Sequence, residues 1–233
     1  MSRSLLVSIG LIAAVIIMSV AVYPSLPDRI PIHWNIRGEI DGWSAKLWGV
    51  SLIPLMMFVL LLIFRALPWL SPKQFTLSSF YSTYEFIVLI ILSYLAYMQG
   101  VMLWTAIDPK FDASRVIVGG MCLMFAALGN LLGKIRRNFW VGLRTPWTIA
   151  SERVWNTTHR LAAKLFVCAG AIGFVAAVVG LPPMPMFVIM LSAILFASLF
   201  PVAYSLYLYK VLESRGELDR NDNLPRMGRS WKQ

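Results

Sequence analysis

Charge is scarce in this chain of 233 residues: charged residues make up 14% of the sequence, and only 11 residues are acidic. Hydrophobic residues make up 58%, and the mean hydropathy is +0.70. These values lie far from the mixture of a soluble globular domain. They exclude such a domain and predict a chain that lies in a bilayer, with membrane lipids as its surroundings.

The net charge of +10 would also suit a protein that binds nucleic acid. Such proteins mass their Lys and Arg on a soluble surface, however, and here the basic residues stand between apolar segments. We therefore expect no direct nucleic acid binding.

Histidine and cysteine are also scarce, with two of each. Cys122 and Cys168 fall within apolar runs, which favours small buried side chains over a structural disulfide. No HxH, HxxxH or Cys spacing accompanies His33, so we predict no metal site, and nothing indicates a cofactor. We expect His33 to fix its loop by a hydrogen bond to Asn35 or to a backbone carbonyl. Contact with a ligand and a response to pH are the alternatives.

What the chain has instead is long uncharged runs, at residues 4–23, 47–64, 86–107, 116–133 and 165–209. The first four each suit one membrane span of about 20 residues. The first run is too long for the core of a signal peptide and lacks a good cleavage site, so we keep it as a helix. The last run is too long for one span, and LPPMPM at 181–186 breaks it into two. The sequence therefore predicts an all-α, polytopic integral membrane protein with six transmembrane helices.

The basic residues indicate an orientation. Of the 21 Lys and Arg residues, all but Arg29, Arg37, Lys46, Lys110 and Arg115 fall on the same set of alternating connections. By the positive-inside rule, that set is cytoplasmic, and so are both termini.

The loop at residues 23–46 is rich in Pro and Trp and is predicted to face outward. Its prolines restrict the backbone, Gly38 and Gly42 permit positive φ, and its tryptophans suit the membrane interface. We expect a compact cap. Further on, Glu85 opens the third span, where we prefer a helix-capping role to a functional carboxylate.

The interruption GKIRRNFWVGLRTPWTIASERVWNTTHR at 133–160 holds an unusual concentration of polar and aromatic residues. Thr145-Pro146 is typical of a helix start. Beyond it, the alternation of apolar and polar residues predicts an interfacial amphipathic helix before the fifth span. Lipid anchoring would account for the Lys, Arg and Trp residues, but not for Asn138, Thr158 and His159.

These residues resemble the hallmark of the SdpI family of bacterial immunity membrane proteins. The pattern GN-x-x-x-K-x-x-x-N-x-x-x-G-x-R-T-P-W-T is followed by SE-x-VW-x-x-THR. Its members here are Gly129, Asn130, Lys134, Asn138, Gly142, Arg144, Thr145, Pro146, Trp147, Thr148, Ser151, Glu152, Val154, Trp155, Thr158, His159 and Arg160.

The outward loop carries a second resemblance. P-x-x-IP-x-H-x-N-x-x-G, present as Pro27, Ile30, Pro31, His33, Asn35 and Gly38, is similar to an uncharacterised domain that often precedes the SdpI region. On this basis we divide the chain into four parts. They are an N-terminal two-helix unit (1–70, with the loop 23–46), a connecting region with the third helix (71–115), an SdpI-like region (116–210) and a cytoplasmic polar tail (211–233).

The resemblance implies a protein of the bacterial cytoplasmic membrane that protects against a secreted membrane-active toxin peptide. In the family's namesake system, it further implies relay of the toxin's presence to a cytoplasmic transcriptional repressor. The motif residues from Pro31 to Gly38 and from Asn130 to Arg160 are then candidates for binding a ligand or partner. For Arg144, Trp155 and Arg160, anchoring at the lipid interface is the alternative.

Two other functions compete. A small-molecule or lipid transporter usually places ionisable groups inside the membrane, and the uncharged runs offer only Gln99, Asn130 and scattered serines. An intramembrane enzyme needs convergent catalytic groups, and the predicted topology puts the two histidines on opposite sides. Only His159 with Glu152 and Asn138 could form a cytoplasmic catalytic site, so we expect a non-enzyme with no catalytic residues.

Overall fold

The computed structural model describes residues 2–218 and is mostly helical. Within these residues, six helices are long and apolar enough to cross a membrane, which confirms the predicted six-span architecture. The elements are α1 (Arg3–Val22), β1 (Arg29–Trp34), β2 (Ile40–Ala45), α2 (Lys46–Leu70), α3 (Tyr81–Ile107), α4 (Ala113–Leu132), α5 (Pro146–Ala150), α6 (Glu152–Val179) and α7 (Pro183–Ser214). The predicted tail at 211–233 lies mostly outside the described residues.

The proline-rich break between the last two spans is confirmed. Helix α6 ends where Gly180 adopts a left-handed conformation with φ of 81°, a common way for a helix to stop. Helix α7 begins at Pro183, where a missing N–H costs nothing. The chain therefore reverses direction within three residues.

The loop at residues 23–46 contains a feature that the all-α prediction lacked. Strands β1 and β2 pair antiparallel, from Arg29 opposite Ala45 to Trp34 opposite Ile40. Ile30 is fully buried and packs where Gly49 leaves no side chain in its way. This contact fixes the hairpin on the start of α2, so the expected compact cap is a β-hairpin.

The helices alternate in direction and give the bundle two ends. The hairpin end holds the β-hairpin, the α3–α4 turn and the α6–α7 turn. The loop end holds the start of α1, the α2–α3 connection, the segment 133–151 and the end of α7. His33 belongs to the first end, and His159, near the start of α6, belongs to the second.

Helix α2 contains two prolines, each of which leaves a backbone carbonyl one turn earlier without its usual donor. Pro54 frees the Val50 carbonyl, which accepts a hydrogen bond from Gln99 Nε2 at 3.2 Å. Pro68 frees the Phe64 carbonyl, which accepts from the Tyr84 hydroxyl at 2.5 Å. Both donors come from α3, so this helix completes the hydrogen bonding of its neighbour.

Helices α4 and α6 pack closely because glycines remove side chains from their contact. A Cβ on Gly170 would lie 2.5 Å from the Cys122 carbonyl oxygen and 2.8 Å from Ala126 Cβ. A Cβ on Gly129 would lie 2.7 Å from Phe166 Cβ. Small residues of this kind let membrane helices approach each other.

Glu85 does not cap α3, contrary to the prediction. The helix begins four residues earlier, at Tyr81, and the Glu85 carboxylate is buried against Arg65 of α2, with N–O distances of 2.6 and 3.2 Å. The bidentate pair joins α2 to α3 near the loop end.

Candidate functional site

The segment 133–145 is organised by the side chain of Asn138, which is fully buried. Its Oδ1 accepts from the backbone N–H groups of Trp140 and Val141 at 2.7 and 2.8 Å. Its Nδ2 donates to the carbonyl oxygens of Arg136 and Val141 at 2.8 and 3.0 Å. One amide thus satisfies four backbone groups that no regular element would satisfy, which gives this irregular stretch a defined shape.

His159 connects this segment to α6. Its Nε2 accepts from the Leu143 backbone N–H at 3.0 Å, and its Nδ1 contacts the Trp155 carbonyl oxygen at 2.9 Å. The first bond needs a lone pair on Nε2 and the second a proton on Nδ1, so the ring is in its neutral form. The ring also stacks on Trp155 with centroids 4.1 Å apart, as their predicted shared face requires.

Gly142 makes this contact possible. Its φ of 109° is unfavourable for any residue with a side chain, and a Cβ there would overlap His159 Nε2. Behind it, the fully buried Trp155 donates through Nε1 to the Ile135 carbonyl at 2.8 Å. We call Asn138, Gly142, Trp155 and His159 the inner cluster.

The predicted helix start at Thr145-Pro146 is confirmed. The Thr145 hydroxyl accepts from the Thr148 N–H at 3.1 Å, and Thr148 Oγ1 accepts from the Thr145 N–H at 2.9 Å, which forms a capping box. Thr145 Oγ1 also lies 3.2 Å from Ser205 Oγ of α7. Helix α5 is therefore fixed against the last span.

The separate interfacial helix predicted before the fifth span is not found as such. Helix α5 covers only Pro146–Ala150, and from Glu152 onward the residues belong to the single helix α6. The apolar side chains of Val154 and Trp155 are fully buried. Protein therefore covers these two residues of the predicted apolar face, whereas Trp147, Leu161 and Leu165 are partly exposed.

The motif residues of this region divide by exposure. Asn138, Thr145, Trp155, Thr158 and His159 are buried, whereas exposed positions are Asn130, Lys134, Arg144, Pro146, Glu152 and Arg160. Trp147 is partly buried, and Arg144 donates to the Phe139 carbonyl. The buried residues contact other parts of the protein, and we call the three exposed cations Lys134, Arg144 and Arg160 the basic face.

The arrangement does not suit the catalytic alternative. Both ring nitrogens of His159 face backbone groups, and the Asn138 amide is engaged by backbone at both ends. Glu152 is exposed at the start of α6. The Asn138 and His159 side chains are thus already engaged by backbone groups.

At the hairpin end, the second motif lines a pocket of 470 Å³. The hairpin contributes His33, Asn35 and Gly38 to one wall. Helices α4 and α7 form the opposite wall, with Ser114, Ile117, Val118, Met121, Pro183, Met186, Phe187 and Met190. The hairpin motif and the last spans, which are far apart in sequence, therefore meet in one cavity, which we call the hairpin pocket.

The motif residues shape this pocket. His33 Nδ1 lies 2.5 Å from Asp41 Oδ1. The prediction that His33 would bond to Asn35 or to a backbone carbonyl is therefore wrong. Asn35 Oδ1 instead accepts from the backbone of Arg37 at 2.8 Å and closes the turn. At the tip, the Ser114 hydroxyl donates to the Gly38 carbonyl at 3.3 Å, where a Cβ would not fit. Pro31 is buried within β1.

Sequence reasoning missed several residues of both regions. Met186 and Met190 of α7 line the hairpin pocket, while Ser205 contacts Thr145 and Glu217 accepts from Arg153 at 3.0 Å at the loop end. The spacing of the two methionines by one helical turn places them on one face. Nothing in the sequence indicates which partner that face meets.

Two family models match separate parts of the chain. Residues 134–205 match the model of the SdpI/YfhL protein family, and residues 10–58 match a domain of unknown function, DUF1648. The four-part boundaries that we assigned remain a prediction.

Two Bacillus subtilis (strain 168) proteins are similar to the chain. Immunity protein SdpI is 26% identical over 168 residues, which are 72% of this chain and 78% of that protein. Uncharacterized membrane protein YbgB is 36% identical over 50 residues, which are 22% of this chain and 55% of that protein. No solved structure matches the chain. Residues 134–205 thus belong to the SdpI/YfhL protein family, within a chain that is a multi-pass bacterial membrane protein.

Proposed function

We propose that this protein is a membrane immunity protein that protects its cell from a secreted membrane-active peptide. Its similarity to Immunity protein SdpI over 72% of the chain supports the biological role. The hairpin pocket, where the DUF1648 and SdpI/YfhL regions meet, is the observation that supports a location for peptide binding. The proposal includes no catalysis.

The hairpin end faces outward in this proposal. The support is the positive-inside distribution of Lys and Arg, which places the basic face on the cytoplasmic side. Single cysteines at Arg37 and Lys134, both exposed, test this orientation in a Cys122→Ser/Cys168→Ser background. A thiol reagent that cannot cross the bilayer should label position 37 in intact cells and position 134 only after lysis. Labelling of position 134 in intact cells would refute the orientation.

The lining of the hairpin pocket indicates the part of a peptide that would enter. Three methionines, Met121, Met186 and Met190, supply a flexible apolar surface that can adapt to different side chains. His33 and Asp41 place a polar pair at the hairpin side of the same pocket. We infer that an apolar side chain of the peptide fills the methionine-lined part.

Helix α7 supports a relay to the cytoplasm. Met190 lines the hairpin pocket and Ser205 contacts Thr145 at the loop end, a separation of about 22 Å along the helix. Beyond it, Glu217 accepts from Arg153 at 3.0 Å. A peptide that binds one position of α7 better would shift the population toward that position and rearrange these contacts.

The receiver in this proposal is a cytoplasmic repressor that binds the basic face. Lys134, Arg144 and Arg160 are exposed there, so an acidic protein surface would complement them. The buried inner cluster would hold these cations in position rather than contact the partner.

Protection is tested in a strain that secreted peptides kill. Expression of the wild-type chain should reduce killing by at least one peptide of a panel. Ile117→Trp, which fills the hairpin pocket, should abolish that protection at an unchanged level of protein in the membrane. The matched control is Leu199→Trp, since Leu199 is 62% exposed on α7 and lies outside the pocket. Full protection by Ile117→Trp would refute the pocket assignment, and no protection by the wild type would refute the immunity role.

The relay is tested separately with Arg144→Glu. This variant should still protect but should no longer change expression of a reporter gene controlled by the repressor. Lys73→Glu, an exposed charge change in the α2–α3 connection, is the control. An intact reporter response in Arg144→Glu would exclude the basic face as the partner surface.

A further inference from the structure

A second cavity lies on the side of the bundle, between α3 and α4, with α6 closing one flank. Its volume is 570 Å³, and nearly all of its lining is apolar. Six residues outline it, namely Phe86, Tyr94 and Tyr97 of α3, Arg115 and Gly120 of α4, and Phe174 of α6. We call it the lateral groove. It shares no lining residue with the hairpin pocket.

Specific contacts between α3 and α4 form the floor of the lateral groove. Gly120 leaves room for the Tyr97 ring, because a Cβ at Gly120 would overlap that ring. The Tyr97 hydroxyl donates to the Val116 carbonyl at 2.6 Å, which fixes the ring against α4. Gly119 adds a second position without a side chain. The concave surface is therefore a consequence of specific contacts between α3 and α4.

The length of the groove matches one membrane leaflet. Along α4 it runs from Arg115 to Ala127, which is about 18 Å at ~1.5 Å per residue. Half of a hydrocarbon core is about 15 Å thick. The groove therefore extends from the membrane surface at the hairpin end to about the middle of the bilayer.

Arg115 lies at the surface end of the lateral groove. Its Nε lies 3.3 Å from Asp112 Oδ2, and its guanidinium lies beside Gly180, where a Cβ would be 3.1 Å from Nη2. Gly180 ends α6, and the partial negative charge of a helix C-terminus favours a cation at that position. An Arg held in this way can offer its planar donors to a phosphate.

We propose that the lateral groove binds one glycerophospholipid from the leaflet at the hairpin end. One acyl chain lies along the groove between α3 and α4, and the phosphate contacts Arg115. Charge complementarity favours a lipid over an apolar peptide helix as the occupant, because only the lipid brings an anionic group to Arg115 at the surface end of the lateral groove. The inference is independent of the immunity role.

Native mass spectrometry of the full chain released from detergent tests the proposal. Added phosphatidylglycerol should give a retained adduct of one lipid. Arg115→Gln should weaken that retention about 10-fold or more, the loss expected for a charge-assisted hydrogen bond. Lys110→Gln, which removes an exposed cation from the adjacent turn, should retain the lipid as the wild type does. Equal retention by all three proteins would overturn the phosphate contact.

Three further ligands separate the parts of the lipid. Phosphatidylethanolamine should be retained, since it carries the same phosphate and chains. Diacylglycerol, which lacks the phosphate, and inorganic phosphate, which lacks the chains, should be retained at least 10-fold less. Retention of diacylglycerol equal to that of phosphatidylglycerol would refute the role of Arg115.

A variant that blocks the groove tests the position of the chain. Ser93 is exposed and lines the groove, so Ser93→Phe should reduce retention as Arg115→Gln does. Val188→Phe, at a site 48% exposed on α7, should not. A phosphatidylglycerol with a photoreactive acyl chain should crosslink mainly to peptides of α3 and α4 in the wild type. Crosslinks spread over all six spans, unchanged by Ser93→Phe, would overturn the proposal.

Discussion

Replacement of Gly142 by Ala is the sharpest test of the inner cluster, because the structure gives two separate reasons for damage. The backbone at this residue has φ of 109°, and such a conformation costs a residue with a side chain about 1–3 kcal/mol. In addition, the new methyl group would overlap His159 Nε2. That overlap would break the hydrogen bond from the Leu143 N–H and leave a buried donor unsatisfied, a further ~1–3 kcal/mol. We therefore expect Gly142→Ala to destabilise the protein by about 2–6 kcal/mol.

Gly216 offers a matched control. It also has positive φ, at 64°, but nothing lies within 4 Å of the Cβ that Ala would add. Gly216→Ala thus reports backbone strain without overlap, and we expect it to cost about 1 kcal/mol. The difference between the two variants therefore reports the contact with His159 together with the less favourable φ of Gly142.

Unfolding in mixed micelles, titrated with a denaturing detergent, measures these effects. The nine tryptophans provide a fluorescence signal, and Trp155 sits within the affected cluster. A His159→Ala variant and the double variant complete a thermodynamic cycle, in which the cost of Gly142→Ala should fall once the imidazole is absent. If Gly142→Ala and Gly216→Ala destabilise equally, the contact between loop and imidazole does not contribute as argued.

Three further variants extend the predictions, all read by the same unfolding titration. Tyr84→Phe removes the hydroxyl that donates to the Phe64 carbonyl and should lower the free energy of unfolding by about 1 kcal/mol, up to ~2. Tyr81→Phe should lower it less, because the Tyr81 hydroxyl makes an exposed contact with an arginine. Equal losses in the two variants would contradict this explanation. Gly170→Leu should prevent the close contact of α4 and α6 and cost more than any exposed change such as Ile172→Leu, at a site 55% exposed; a small effect would show that these helices can separate. Asn138→Asp keeps the acceptor oxygen but loses two donated hydrogen bonds in a fully buried position. Each lost bond should lower the free energy of unfolding by about 1–3 kcal/mol. Wild-type stability of this variant would contradict the organising role of the amide.

The membrane spans were predictable because the bilayer constrains them one at a time. Each needs about 20 apolar residues, and any interruption by charge or by several prolines is visible locally. The break after Gly180 and the helix start at Thr145 follow from equally local rules of capping and proline placement.

Side-chain partners across a turn or between two helices were not predictable. The sequence suggests a histidine that fixes its loop, but not that His33 would pair with Asp41 across a hairpin. Glu85 is a residue type that suits a helix N-terminus, yet α3 begins at Tyr81. The Glu85 carboxylate contacts Arg65 instead.

The sequence singled out residues of the candidate site without indicating their geometry, and their role in binding remains a prediction. The fixed spacing of polar residues singled out Asn138 and His159, whose buried hydrogen bonds now explain why lipid anchoring did not account for them. The sequence did not indicate the hairpin pocket, because the pocket depends on how α7 packs beside the β-hairpin, about 150 residues earlier in the chain. Periodicity shows which face of a helix is apolar, and it does not show what that face touches.

The two prolines of α2 bear on how this protein is made. As the ribosome delivers the chain, α2 enters the membrane before α3, with the carbonyls of Val50 and Phe64 lacking the donors that Gln99 and Tyr84 later supply. Hydrocarbon offers no substitute for those donors. We therefore expect α2 to become stably inserted only when its successor arrives, so that this pair of helices acts as a single unit of membrane biogenesis.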